Sequence, residues 1–368
     1  MIPFSINKLR KNIYSEEQAM EKGKRNASID VFRGIAALMI VLHHVACYSG
    51  AVYSPYEIIP STMIVDVPAF LFISGWTFQY TDSLNKMIKR LLRLVLEYVI
   101  FSAIYVVFIE VFEWICFGKM VNIEELLYAW VKQSIFRGEN HEIFSVVNAS
   151  LWFMPMYIKV YVVFGIIILA VKRLFTEERW QRYIYIVVTI VSFGMFFFMQ
   201  KGNSIPGLSV TILFYGTFFM MGYVLMSERT FPIPYIAAAF VVNLLILIGL
   251  ENFTDMSIYG MVNNKFPPSI LFFVYSLFYI MIMLASGHFS VREIGILSYA
   301  GKNAVYFFFA QGFAVSLINL ADDFILIQNW VIKYMVSCFI AIVFTVIIAI
   351  ILKKIIEYVF KIVTWVVD

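Results

Sequence analysis

The chain has 368 residues, of which 62% are hydrophobic and only 14% charged. A soluble domain carries about a quarter charged residues, so this composition excludes one and defines an all-α polytopic membrane protein. The net charge of +4 implies no nucleic-acid partner, because the basic residues segregate by loop.

Residues 1–28 form a polar arm carrying Lys8, Arg10, Lys11, Lys22, Lys24 and Arg25. It lacks a short apolar core followed by small residues, so it does not read as a cleaved signal, and the first helix is expected to be a retained anchor. The three cysteines, Cys47, Cys116 and Cys338, have no paired spacing, and His43, His44, His141 and His288 no metal-ligand spacing beyond the adjacent pair. Neither a disulfide framework nor a metal site is expected.

Apolar runs of roughly 17–25 residues recur at 29–48, 63–80, 91–116, 151–171, 183–199, 208–226, 232–250, 268–286, 303–320 and 330–352. They predict about ten transmembrane helices in a single domain, 29–352, followed by an amphipathic tail, 353–368, along the inner leaflet. Twenty lysines and arginines fall in one set of alternate loops, against only Lys119, Lys132, Arg137, Lys201 and Lys265 in the other. Positive charge marks the cytoplasmic side, so both termini are expected there.

The first run carries Arg33, His43 and His44. A cation in the hydrocarbon costs about 2.5–3.5 kcal/mol on insertion scales, which makes ionisable residues here candidates for function. Arg33 and His44 are eleven positions apart, and eleven steps of about 100° return to within roughly 20° of the same helix face, about 16 Å further along. His43 lies about 80° off that face. The helix presents a guanidinium near the cytoplasmic surface and an imidazole in the outer half.

Elsewhere, Asp66 lies at about the depth of His44 and either orients the imidazole or caps a helix. Arg90 and Arg93 share a helix face and can present forked donors to phosphate, or serve only as a positive-inside anchor. Glu97 most simply pairs with Arg93. Lys159, inside an apolar run, is expected to face the interior or a wet cavity. Residues 122–136 read as an amphipathic interfacial helix that can cover an outward-facing site.

Arg33, ten residues and His44, with Asp30 before them and Gly34 after the arginine, closely resemble the first helix of the membrane-bound acyltransferase-3 family, whose members acylate sugars and other acceptors on bacterial surface polymers. Ser74-Gly75, Arg90-x-x-Arg93, Leu151-Trp152-Phe153 followed by Pro155, Gly222-Tyr223 and Gly301-Lys302-Asn303 resemble further family elements, in matching order. Packing alone also accounts for Ser74-Gly75. Many relatives carry a histidine eight residues after that asparagine. Here it is Gln311, which donates and accepts hydrogen bonds but cannot transfer protons at neutral pH.

The resemblance implies an integral membrane O-acyltransferase of a bacterial cytoplasmic membrane, using acyl-CoA, in the simplest case acetyl-CoA, as a co-substrate and no tightly bound cofactor. It implies that Lys89, Arg90 and Arg93, with Ser74 and Asn303, hold the cofactor end, while Asn303 can equally cap a helix. Arg33, with Asp30 as local partner, would lie along the thioester path, and His44 would act as base on an acceptor hydroxyl or as a transient acyl carrier. Asp66, Trp152, Lys159 and Gln311 are candidates for contact with a glycan or lipid-linked sugar acceptor. A transporter or polysaccharide exporter would also place buried charges along a path, and a non-catalytic partner of a glycan assembly complex is a third reading.

Overall fold

The structure is a computed structural model and describes residues 27–48, 58–118, 122–135, 144–200, 202, 209–226, 231–254, 257–286 and 294–366. The polar arm before Ala27, His141 and His288 lie outside the described residues. Among the described residues there is no strand. Eight helices among the described residues are long and apolar enough to cross a membrane, and Val210–Leu225 and Ile270–Ser286 are shorter apolar helices, so the described helices account for all ten apolar runs.

The first helix, α1 (Ala27–Tyr48), is the axis of the bundle. Against it pack α2 (Ile58–Met63), α3 (Asp66–Phe78), α12 (Gly295–Lys302), α13 (Ala304–Ala321) and α14 (Trp330–Val366). The closest approach is between α1 and α12. A Cβ on Gly34 would meet the Leu297 carbonyl, and one on Gly301 would meet the Asp30 carbonyl. Two glycines of the family-like elements thus bring two backbones together, as small residues do in lipid, where no hydrophobic force between helices is available.

A second reciprocal contact joins α3 to α9 (Val210–Leu225): Gly75 faces the Phe219 carbonyl and Gly222 the Phe72 carbonyl. Ser74-Gly75 and Gly222-Tyr223, 147 positions apart, are two halves of one helix contact. Outside this centre lie α4 (Leu84–Phe117), α8 (Glu178–Gln200), α10 (Ile233–Phe253) and α11 (Ile270–Ser286). Their outward faces are apolar and exposed, including Val187, Ile190, Val241 and Leu245.

Two spans are broken by proline. The helix before Pro68 ends at Met63 and restarts at Asp66 as α3; the segment before Pro155 is α6 (Ser145–Leu151), and the chain restarts at Phe153 as α7 (Phe153–Leu174). Proline is tolerated in a helix's first turn, where its missing N–H has no intrahelical partner, and not further in. Asp66 and Trp152 therefore sit at mid-chain helix starts, set by prolines two and three residues later.

Two helix boundaries and the placement of one helix differ from the sequence expectation. Helix α4 starts at Leu84, with the Ser83 hydroxyl accepting from the Lys86 N–H at 3.4 Å, so Lys89, Arg90 and Arg93 lie on the helix itself. Helix α5 (Ile123–Ile135) forms where the amphipathic segment is predicted but folds back along α4. The Trp130 indole donates to the Val99 carbonyl at 3.1 Å, about 27 Å below the end of α4 at 1.5 Å per residue, so α5 flanks α4. Helix α14 continues without interruption past Leu352 to Val366.

Candidate functional site

Three helices pass through the same two levels of the bundle. Helix α1 carries Arg33 at one level and His44 at the other; antiparallel to it, α3 carries Asp66 near the His44 level and Ser74 about 12 Å further on. Helix α7 starts beside Trp152 and carries Tyr157 about 8 Å along. Sequence elements that lie far apart in the chain meet at these two levels.

At the first level the Tyr157 hydroxyl donates to Ser74 Oγ at 3.0 Å. Both Arg33 and Arg90 lie within electrostatic reach of that phenol, and Arg90 also of Tyr161. Arg90 Nη1 donates to Thr81 Oγ1 at 2.5 Å. Arg93 is engaged differently. Its Nε is 3.1 Å from Glu97 Oε1, the pairing expected from the sequence, and Glu97 also accepts from the Tyr306 hydroxyl at 3.1 Å. The two guanidiniums of the R-x-x-R element are thus unequal: Arg93 has a buried carboxylate beside it, while Arg90 faces hydroxyls. Lys89 is half-buried next to them. Beyond this cluster Asp82, held below the usual carboxylate range by Lys86 at 2.6 Å, is exposed.

Asp30 is buried at the first turn of α1, where α12 crosses. Asn303 Nδ2 donates to the Tyr299 carbonyl at 2.9 Å, closing the end of α12, and makes no side-chain cap bond to α13. Its amide is used on backbone.

At the second level both histidines are buried. His43 Nδ1 lies 3.1 Å from the Pro60 carbonyl in α2, and Cys47 Sγ is 3.7 Å from its Nε2. His44 Nδ1 is 2.6 Å from Gln311 Oε1, and Gln311 Nε2 donates to Ser150 Oγ at 3.0 Å. Ser150 in turn bonds to the Val146 carbonyl and, at 3.2 Å, to that of Val147. Gln311, on α13, is the residue that holds the imidazole.

Asp66 lies within electrostatic reach of His44, but its hydrogen bonds among the described residues go elsewhere. Its Oδ1 accepts from the Val67 N–H at 2.8 Å and lies 3.5 Å from Lys265 Nζ. Lys265 lies in a loop, as expected, but is buried there: it is 5% exposed, with its ammonium 5.8 Å from the Trp152 ring and 5.9 Å from that of Phe266. An ammonium so buried needs a partner charge, and Asp66 supplies it. Trp152 further contacts Phe266 and Tyr215, with centroids 4.7 and 6.0 Å away, and the buried Tyr215 hydroxyl has no hydrogen-bond partner among the described residues. Removing one member of such a pair leaves an uncompensated charge, at a cost of about 3–5 kcal/mol. Thermal unfolding of detergent-solubilised protein is therefore expected to rank Lys265→Met well below the double variant Lys265→Met/Asp66→Leu.

Lys159 is a correction. It is exposed on the outside of the bundle, because the buried face of α7 is drawn by Phe153, Met156, Val160 and Phe164 and residue 159 lies away from it. A lysine stem lies along apolar surface while its ammonium reaches for water, so an apolar run does not force the charge inward. Lys265, Ser150 and Tyr157 are the site residues the sequence did not reveal. Ser150 had a faint signal, standing directly before Leu151-Trp152-Phe153; Lys265 had none.

A helical bundle with two broken spans and ionisable side chains buried where those breaks face the central helix is a multi-pass membrane protein built around an internal polar site. The family profile for the acyltransferase domain, acyltransferase-3, matches residues 26–353. The chain belongs to this family and is a membrane acyltransferase. A search of curated proteins found no match, and nor did a search of solved structures.

Proposed function

We propose that this acyltransferase moves a short acyl group, in the simplest case acetyl, from cytosolic acyl-CoA to a hydroxyl of a surface glycan or lipid-linked sugar, with both termini on the cytoplasmic side of a bacterial cytoplasmic membrane. The observation that carries the reading is the two-level arrangement. Arg33 and Arg90 lie within electrostatic reach of Tyr157 at one level, and His44, held by Gln311, stands about 16 Å along the helix that carries Arg33. Cations suit the phosphates of CoA, and the thioester arm would reach from there toward the imidazole. Arg90 and Lys89 carry most of the phosphate binding, because Glu97 already offsets Arg93. Asp66, Lys265 and Trp152 would border the acceptor, offering a charged acceptor, a charged donor and an aromatic face to a polyhydroxylated ring. His44 acts there as general base on the acceptor hydroxyl or as a transient acyl carrier.

The test is CoA release from acetyl-CoA by purified protein in nanodiscs with a panel of glycan acceptors, alongside direct acetyl-CoA binding. Arg90→Ala is expected to weaken binding about 10- to 150-fold, the value of a charged hydrogen bond, and Arg93→Ala markedly less. A wild-type protein that neither binds nor consumes acyl-CoA would overturn the enzyme reading in favour of an exporter.

A further inference from the structure

The chain from Ser150 through Gln311 to His44 determines which imidazole nitrogen carries the proton. Ser150 has one hydroxyl hydrogen, directed at the carbonyls of its own helix, Val146 and Val147. Toward Gln311 it can therefore only accept, which requires the amide NH₂ of Gln311 on that side, 3.0 Å away. The amide oxygen is then turned to His44 Nδ1 at 2.6 Å, and a carbonyl oxygen only accepts. Nδ1 must bear the hydrogen, and in a neutral imidazole the lone pair is left on Nε2.

We propose that Ser150 and Gln311 are positioning residues that lock His44 in the Nδ1–H tautomer and so make Nε2 its basic nitrogen. On the acyltransferase reading, on which this consequence rests, Nε2 takes the proton of the acceptor hydroxyl as its oxygen attacks the thioester carbonyl. The C–S bond then breaks, and the proton passes from Nε2 to the departing thiolate, giving the ester and free CoA. A glutamine serves this purpose without itself titrating, since an amide cannot change its donor and acceptor ends by taking up a proton.

His43 supplies an internal control. Its Nδ1 faces the Pro60 carbonyl, which also only accepts, so it should carry the same tautomer for a reason independent of Gln311.

The experiment is ¹⁵N NMR of protein in nanodiscs labelled at histidine, with signals assigned by His43→Gln and His44→Gln, at a pH where the imidazoles are neutral. It reads the tautomer whether or not the protein turns over any acyl donor, so its failure is distinct from failure of the enzyme reading. Wild-type His44 is expected to show a protonated Nδ1 and a bare Nε2. In Gln311→Leu, and in the milder Ser150→Ala, where the amide is free to turn over, Nε2–H should appear at His44 while His43 is unchanged. Gln311→Glu, whose carboxylate only accepts, should keep the wild-type tautomer and retain more transfer than Gln311→Leu. A proton on Nε2 in the wild type, or an unchanged His44 tautomer in both Gln311→Leu and Ser150→Ala, would overturn the proposal.

Discussion

Alanine at position 44 is expected to lower kcat for acyl transfer by about 10²–10⁴-fold, the usual contribution of a positioned general base. Its apparent affinity for acyl-CoA should stay near wild type. The asymmetry follows from the two levels of the site: the groups suited to the phosphates, Arg33, Lys89 and Arg90, belong to the end of α1 about 16 Å from the imidazole. Gln311→Leu should do less. It leaves His44 in place but removes the acceptor that keeps the proton on Nδ1, so that Nε2 is protonated in part of the population; the lost buried hydrogen bond is worth about 1–3 kcal/mol, or about 5- to 150-fold in rate. The check is steady-state kinetics on both variants beside an equilibrium acyl-CoA titration. Full activity in His44→Ala would remove the imidazole from the chemistry, whatever the pattern in Gln311→Leu.

The helices were legible because a spanning segment must be long and apolar, and the line from Arg33 to His44 was legible because eleven residues is close to three turns. What escaped the sequence has a physical reason in each case. Lys159 was assigned inward and lies outward: lipid and protein core are both apolar, so a membrane helix lacks the polar face that reveals orientation in a soluble one. Lys265 stood in a polar stretch with nothing to mark it, since its partner Asp66 is 199 positions away. Gln311 was read as a lost histidine; only the serine 161 positions before it shows how the amide is turned. Asp66, read as imidazole orienter or helix cap, proves to be a helix-start carboxylate that neutralises the buried lysine.

Alanine at Gly222 is expected to be among the most damaging single substitutions in the chain, although it adds one methyl group. The new Cβ would fall on the Phe72 carbonyl of α3. Overpacking against side chains costs about 1–3 kcal/mol because rotamers can yield. Here the obstacle is backbone, so α3 and α9 must move apart along their whole contact. Helix α3 also carries Asp66 and Ser74, and a displacement of about 1 Å at reacting groups can cost 10²-fold in rate. Gly222→Ala should therefore lose most activity even in the fraction that remains folded, with a clear fall in thermal stability by fluorescence-detected size exclusion. Gly194→Ala and Gly249→Ala, whose Cβ atoms meet nothing within 4 Å, are the controls and should be neutral or slightly stabilising. The reciprocal geometry adds a sharper expectation. Gly75 on α3 meets the Phe219 carbonyl of α9 as Gly222 meets that of Phe72, so once one methyl group has forced the helices apart, the second finds space already opened. The double variant Gly75→Ala/Gly222→Ala should cost distinctly less than the sum of the two single changes, a coupling that contacting residues show and independent sites do not. Strict additivity in a double-mutant cycle would mean that the two glycines do not share one interface.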